Sequence, residues 1–129
     1  MDSFLPRRDQ EYLISKGILY SEIVDGTRNG LIIDNYTLPE GRFNVPAIKL
    51  LIFIPPNYND ANPDMFYCHP KVTFVGTIQG PPATDGIVQF NGVQWQQWSR
   101  HLNLGNDWRT GIDGIESYLQ KVIHAFRTA

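Results

Sequence analysis

Cysteine is nearly absent from this chain of 129 residues, which has only Cys68. One cysteine excludes a disulfide within the chain and disfavours a secreted scaffold held together by disulfides. Histidine is also scarce, and His69, His101 and His124 show none of the Cys/His spacings that zinc sites use. The sequence therefore predicts no metal site.

Clusters of basic residues and long apolar runs are missing too. The 11 basic and 13 acidic residues give a net charge of −2. Because phosphate binding needs a basic face, nucleic acid is not expected as a partner. The most apolar run, residues 47–55, is far shorter than the roughly 20 residues of a transmembrane helix, and no signal peptide is apparent. We expect a single cytoplasmic domain over residues 1–129, with no membrane partner.

The distribution of apolar residues predicts an α+β fold. Residues 9–17, DQEYLISKG, are typical of a short helix that Asp9 caps and Gly17 ends. Apolar runs bounded by turn residues then predict four strands of one antiparallel meander. These strands are residues 18–24, 31–36, 47–55 and 71–75. Residues 76–92 are typical of a long loop, in which residues 87–90 are a candidate short strand.

The last segment of the chain is the clearest element. Apolar residues recur there at intervals of three and four, which is typical of a helix with one buried face. These residues are Ile112, Ile115, Leu119, Val122 and Phe126. The predicted order is an N-terminal helix, a four-stranded antiparallel meander sheet, a long loop and a C-terminal helix.

Several motifs in this order resemble the ubiquitin-conjugating enzyme superfamily. Its members carry an apolar third strand, a proline-rich turn and a Pro-Lys-Val motif that opens the fourth strand. Here LLIFIPPNY is followed by PDMF and by HPKVTF, residues 69–74. Trp108, in DWRTGIDGIESYL, stands where the family has a tryptophan that leads into a helix. The set LPEGRF, PDMFY, WSRH and WR-x-GID is similar to a diverged bacterial branch, the prokaryotic family E of these enzymes.

The resemblance implies a ubiquitin-conjugating-enzyme-like fold with a long active-site loop. It also implies a carrier and transferase in a bacterial ubiquitin-like conjugation pathway, such as one used in antiphage defence. Members of the branch occur with ubiquitin-like proteins, activating enzymes and JAB-type deconjugating proteases. The implied partners are a ubiquitin-like protein, an activating enzyme and a target protein amine. No cofactor is expected in this chain, and ATP would be used by the activating enzyme, because no phosphate-cradling Gly-x-x-x-x-Gly-Lys loop is present.

The sequence departs from the family at the catalytic centre. The family's His-Pro-Asn motif is absent, because the only His-Pro step, His69-Pro70, aligns with the segment before the fourth strand. No cysteine lies near the nucleophile position, and counting back from Trp108 by the family's spacing leads to Ser99. Cys68 precedes the predicted fourth strand, on the wrong side of the sheet order for the nucleophile.

Ser99 and His101 are therefore the predicted catalytic pair, in a carrier that would hold its partner as an oxyester. A serine hydroxyl needs a base within about 3 Å, and an extended chain would place both side chains on one face. Arg100 would then point away or meet the C-terminal tail of the partner.

Further residues are candidates for supporting roles. Backbone N–H groups, Asn103 or Asn106 are the candidate donors to an oxyanion. Asp107 would either orient the imidazole or cap the following turn.

Three other interpretations stay open. Ser99 and His101 could form a packed corner beside the tryptophans, with the serine as a turn hydrogen-bonder. The chain could be a non-catalytic adaptor, like the ubiquitin-conjugating variants or RWD-type domains, that binds a ubiquitin-like protein or an activating enzyme. Cys68 could carry a thioester, but only His69 lies near it in sequence to lower its pKa. The usual role of a lone cysteine is that of a small buried hydrophobe.

Overall fold

The computed structural model describes residues 3–100 and 108–129, and it confirms the α+β class. Within these ranges two helices accompany one antiparallel sheet of six strands. The elements are α1 (Arg7–Ser15), β1 (Tyr20–Asp25), β2 (Arg28–Thr37), β3 (Ala47–Ile54), β4 (Phe66–His69), β5 (Gly86–Phe90), β6 (Val93–Trp98) and α2 (Ile115–Thr128). No helix in the described part of the chain is long and apolar enough to cross a membrane.

The sheet has the strand order β1-β2-β3-β4-β6-β5, so it is larger than the four-stranded meander that the sequence predicts. The first four strands are consecutive antiparallel neighbours, and the hairpin of β5 and β6 extends the sheet beyond β4. Asn91 and Gly92 form the turn of this hairpin, with positive φ angles of 52° and 76°. Asn-Gly is favoured there because both central residues of a type I′ turn need positive φ. The candidate short strand at residues 87–90 is therefore confirmed as part of β5, and the predicted loop up to residue 85 lies outside the strands of the sheet.

The fourth strand is Phe66–His69, and not residues 71–75 as predicted. Pro70 lacks the backbone N–H that a further ladder bond would need. Beyond it, the side-chain amide of Gln96 takes the place of a neighbouring strand. This amide accepts a hydrogen bond from Val72 N (2.9 Å) and donates one to the Val72 carbonyl (2.9 Å). The backbone polar groups of Val72 are thus satisfied without a strand.

Asp9 does not cap its own helix as predicted. α1 begins at Arg7, after Pro6, so Asp9 lies in the first helical turn, and its side chain is buried. Its carboxylate accepts hydrogen bonds from the Ile115 N–H at the start of α2 (3.2 Å) and from the Tyr58 hydroxyl (2.6 Å). Because the first N–H groups of a helix lack intrahelical partners, this carboxylate caps α2 and ties both helices to the β3–β4 connection.

The main core lies between the two helices and one face of the sheet. α2 starts at Ile115 rather than at Ile112, which is 60% exposed in the preceding turn. The predicted apolar face of the helix is otherwise confirmed, because Ile115, Val122 and Phe126 are buried. Trp98, the last residue of β6, packs its indole against Phe126 with ring centroids 4.5 Å apart. This contact anchors the end of β6 to α2.

The sheet curls so that β5 approaches β2 across the face opposite the helices. Phe90 of β5 is buried there in a second apolar cluster that includes Leu51. Arg28 of β2 donates a hydrogen bond to the Gln89 carbonyl (2.8 Å), and its guanidinium carbon lies 5.3 Å from the centroid of the Phe90 ring. Gly30 of β2 also lies against that ring, where a side chain would have no room.

We expect Gly30→Ala to lower the free energy of unfolding by about 1–3 kcal/mol, the usual cost of overpacking a core. A Cβ at this position would lie 2.5 Å from Cζ of Phe90 and 2.9 Å from Cδ1 of Leu51. Urea unfolding measures the loss. In Phe90→Leu the ring atoms are absent, so the same glycine substitution should cost less in that background. Equal stability of Gly30→Ala and the parent chain would contradict the curled arrangement.

Candidate active site

Ser99 directly follows β6 and lies at a sharp bend of the backbone. Its N–H donates to the Ala83 carbonyl (3.0 Å), and the Arg100 N–H donates to the Trp98 carbonyl (2.7 Å). A hydrogen bond between residues two apart defines a γ-turn, here centred on Ser99. An extended backbone, the condition for placing the side chains of Ser99 and His101 on one face, is therefore not met at Ser99. The bend forms because residues 81–84 fold back against the end of β6 and offer it an acceptor.

The Ser99 hydroxyl is half-buried and is held by a neighbouring amide. Gln97 Nε2 donates a hydrogen bond to Ser99 Oγ at 3.0 Å. In the described part of the chain, no side chain or carbonyl accepts a hydrogen bond from this hydroxyl. The oxygen is thus oriented by a donor, and no group in residues 3–100 or 108–129 accepts its proton.

Arg100 is bound within the chain rather than turned toward a partner. Its guanidinium Nη1 donates to the Pro82 carbonyl (2.6 Å), and its Cζ lies 5.0 Å from the centroid of the Trp98 ring. The first contact joins Arg100 to residues 81–84, and the second keeps its guanidinium over the end of β6. The prediction that Arg100 meets the tail of a partner would require these contacts to break.

The other predicted site residues lie outside the described ranges. These are the proposed base His101, the oxyanion candidates Asn103 and Asn106, and Asp107. Their roles stay predictions from the sequence.

Trp108, the tryptophan that the resemblance singled out, anchors the turn that leads into α2. Its indole N–H donates to the Asn59 carbonyl (2.9 Å), and the Asn59 side chain accepts a hydrogen bond from Gly111 N (2.6 Å). Asp113 accepts hydrogen bonds from the guanidinium (3.1 Å) and the backbone N–H (2.7 Å) of Arg109. These bonds lower the pKa of the Asp113 carboxyl to about 2. The turn is therefore rigidly tied to the β3–β4 connection.

Cys68 is fully buried and belongs to the main core. It lies within β4, where its backbone pairs with Leu50 and Gln96. Burial raises the pKa of its thiol well above the usual range. A thiolate is the form of cysteine that attacks an acyl group, so this environment opposes the thioester interpretation.

We expect the thiol of Cys68 not to react with a water-soluble disulfide reagent in the native protein, because its side chain has no solvent-exposed surface. After addition of denaturant, one thiol per chain should become exposed and react with the reagent. Following the absorbance of the released thiol measures both states. Rapid stoichiometric reaction without denaturant would show that β4 opens readily, and it would return Cys68 to the list of candidate nucleophiles.

The rest of the described surface offers little for a metal but does include a groove beside the site. Within the described ranges no group of three or more His, Cys, Asp or Glu side chains is placed to hold a metal ion. An open groove of about 290 Å³ is lined by Arg28, Pro55, Met65 and Tyr67 among others. Met65 borders it, and the Met65 sulfur lies 3.6 Å from Gln97 Nε2. The groove thus ends next to the amide that holds Ser99.

Comparison with known families identifies the chain as a conjugating-enzyme-like protein of the E2 class. It belongs to the prokaryotic E2 family E, whose sequence model matches residues 5–129. The resemblance read from the motifs is thereby confirmed. No curated protein and no solved structure matches the chain. Family membership supports ubiquitin-like conjugation as the class of reaction, with ubiquitin-like proteins and activating enzymes as the classes of partner.

Gln97 is a residue of this site that the sequence analysis did not single out. The signal was present, because Gln97 and Ser99 are two residues apart at the end of a strand and alternate residues of a strand share a face. The sequence prediction assigned no strand to residues 93–98, so this periodicity was not used. No such signal indicated that residues 81–84 provide the backbone acceptors for Ser99 and Arg100, since these contacts join residues that are distant in sequence.

Proposed function

We propose that this chain is an acyl carrier that holds the C-terminal acyl group of a ubiquitin-like protein on Ser99 as an oxyester and passes it to a target amine. The observation that carries this proposal is the environment of Ser99 Oγ. The oxygen is half-buried beside β6, accepts a hydrogen bond from Gln97, and keeps its proton free of any described acceptor. The lone thiol, in contrast, is buried in the core.

Loading exchanges one acyl bond for another. The C-terminal carbonyl carbon of the ubiquitin-like protein forms a bond to Ser99 Oγ, and its bond to the leaving group on the activating enzyme breaks. The hydroxyl proton passes to a base, and the departing group takes up a proton. In the transfer step a target amine attacks the same carbon, the C–O bond breaks, and Ser99 Oγ regains a proton.

Two parts of the mechanism rest on the sequence. We assign the base to His101, because it follows Ser99 closely and an unassisted hydroxyl is a poor nucleophile. Asn103 and Asn106 are the proposed side-chain donors to the oxyanion, in place of the asparagine that the family's absent motif would supply. An ester reacts more slowly with amines than a thioester does, so the transfer step needs such donors.

Reconstitution with the cognate activating enzyme, its ubiquitin-like protein and ATP tests the proposal. The product is separated on a denaturing gel after treatment with reductant, with hydroxylamine or with neither. We expect a covalent band that survives reductant and disappears with hydroxylamine, as an oxyester does. A band that is lost to reductant would indicate a thioester and contradict the serine assignment. No band with a competent activating enzyme would favour the non-catalytic adaptor.

A further inference from the structure

We propose that Gln97 is a positioning residue for Ser99, whose side-chain amide aims the hydroxyl and stabilises the negative charge that develops on Oγ during attack. This inference deepens the proposed function and rests on it for its catalytic part. The observation that carries it is the 3.0 Å hydrogen bond from Gln97 Nε2 to Ser99 Oγ.

The direction of this hydrogen bond decides what the amide can do. Nε2 is a donor only, so the Ser99 oxygen must be the acceptor. The hydroxyl proton is therefore not used in this bond and is left for a base. A donor aimed at the oxygen also favours the charged form over the neutral form, because a hydrogen bond to a charged group is stronger than one to a neutral group.

The surroundings of Gln97 hold the amide in this position. Its Nε2 also lies 3.6 Å from the sulfur of Met65, the residue that immediately precedes β4. Gly86 of β5 is paired with Gln97 across the hairpin. A Cβ on Gly86 would lie 3.3 Å from both Cβ and Cδ of Gln97, which is closer than ordinary contact. A glycine in β5 therefore leaves room for the glutamine side chain to reach Ser99.

A thiol at position 99 allows the amide's effect to be measured without any partner protein. In the Ser99→Cys variant, the rate of alkylation by iodoacetamide as a function of pH reports the pKa of the introduced thiol, since Cys68 is buried. Adding Gln97→Met removes the donor but keeps a side chain of similar length beside Met65. We expect the pKa of the introduced thiol to rise by about one unit, which corresponds to roughly 1.4 kcal/mol.

The matched control is Gln94→Met, an exposed glutamine on the same strand whose side chain does not touch Ser99. It should leave the pKa of the introduced thiol unchanged. If Gln97 only supported the fold, Gln97→Met would change the thermal stability of the protein and leave the pKa of the introduced thiol unchanged. No difference between Gln97→Met and Gln94→Met in the pH profile would overturn the proposal.

The reaction itself gives the second measurement, in the chain that keeps Ser99. In single-turnover loading from the charged activating enzyme, Gln97→Met should lower the maximal rate of ester formation about tenfold, as loss of roughly 1.4 kcal/mol implies. The concentration of charged activating enzyme at half-maximal rate should stay unchanged, because Gln97 acts on the serine oxygen and not on docking. An unchanged maximal rate would overturn the positioning role while the ester mechanism stands.

The two proposals fail in distinguishable ways. If the parent chain forms no ester, the proposed function is wrong and the catalytic part of this inference falls with it. If the parent forms the ester and Gln97→Met forms it equally fast, only the role of Gln97 is wrong. Gly86→Ala gives an independent check, since it should displace the Gln97 side chain and slow loading in the same direction.

Discussion

Ser99→Ala is expected to abolish the hydroxylamine-sensitive adduct completely, because the substitution removes the oxygen that forms the ester. The fold should tolerate the change. The hydrogen bonds from Ser99 N to Ala83 and from Arg100 N to Trp98 involve only the backbone. Alanine can make both of them, and only the half-buried Gln97 amide loses an acceptor, so the thermal unfolding temperature of the variant should be close to that of the parent. The gel assay after loading with activating enzyme, ubiquitin-like protein and ATP measures the loss.

Ser99→Cys sharpens this test, because it changes the class of bond and not only its amount. A thiol at the same position should accept the acyl group as a thioester, so the band should become sensitive to reductant. Ser21→Ala, a half-buried serine in β1 remote from the site, should load like the parent. Survival of a reductant-resistant adduct in Ser99→Ala would show that another residue carries the acyl group.

Trp98→Ala is expected to lower the free energy of unfolding by about 3–5 kcal/mol, the usual cost of removing a buried aromatic side chain. The indole is fully buried and stacks against Phe66 with ring centroids 5.5 Å apart. It also packs on Phe126, so it joins the sheet to α2. Its N–H donates to Gln96 Oε1 (3.0 Å), a bond that alanine would remove. Urea unfolding followed by circular dichroism measures the effect.

Trp98→Phe separates packing from hydrogen bonding at this position. The smaller ring keeps much of the aromatic contact and loses the N–H, so it should cost about 1–3 kcal/mol, less than alanine does. Trp98 also immediately precedes Ser99, and its backbone carbonyl closes the bend there. A Trp98→Ala variant as stable as the parent would contradict the position of β6 in the core.

The hairpin of β5 and β6 shows what the sequence contained and the first interpretation missed. The pair Asn91-Gly92 lies between two runs rich in β-branched and aromatic residues, and this is a strong local signal for a two-residue hairpin turn. Reading it would have given the sixth strand, and with it the shared face of Gln97 and Ser99.

Other features could not be read from local pattern. Aspartate is a residue type that often caps the helix next to it in sequence. Nothing near Asp9 in the sequence shows that it instead caps the helix that begins at Ile115. The curl of the sheet depends on Phe90 meeting Gly30, which are far apart in sequence. In the same way Pro82 and Ala83 reach Arg100 and Ser99 only after the chain has folded. Such contacts are set by tertiary packing and leave no periodicity in the sequence.

The family itself was readable from the order of short motifs, and so was the buried face of α2. Ser99 was predicted as the nucleophile only from its distance in sequence to Trp108. This distance identifies a position and gives no information about the groups around it. The structure adds those surroundings at Ser99, namely the bend, the amide donor and the engaged Arg100. It also opposes Cys68 as the nucleophile, since that side chain is buried in the core.

The most direct test of the oxyester is to locate the acyl group by mass spectrometry of the loaded chain, digested with trypsin at mildly acidic pH. Cleavage after Lys71 and Arg100 gives the peptide of residues 72–100, which contains Ser99 and several threonines. Fragmentation of this peptide should place the remnant of the ubiquitin-like tail on Ser99. A remnant on a threonine, or on the peptide that contains Cys68, would contradict the account.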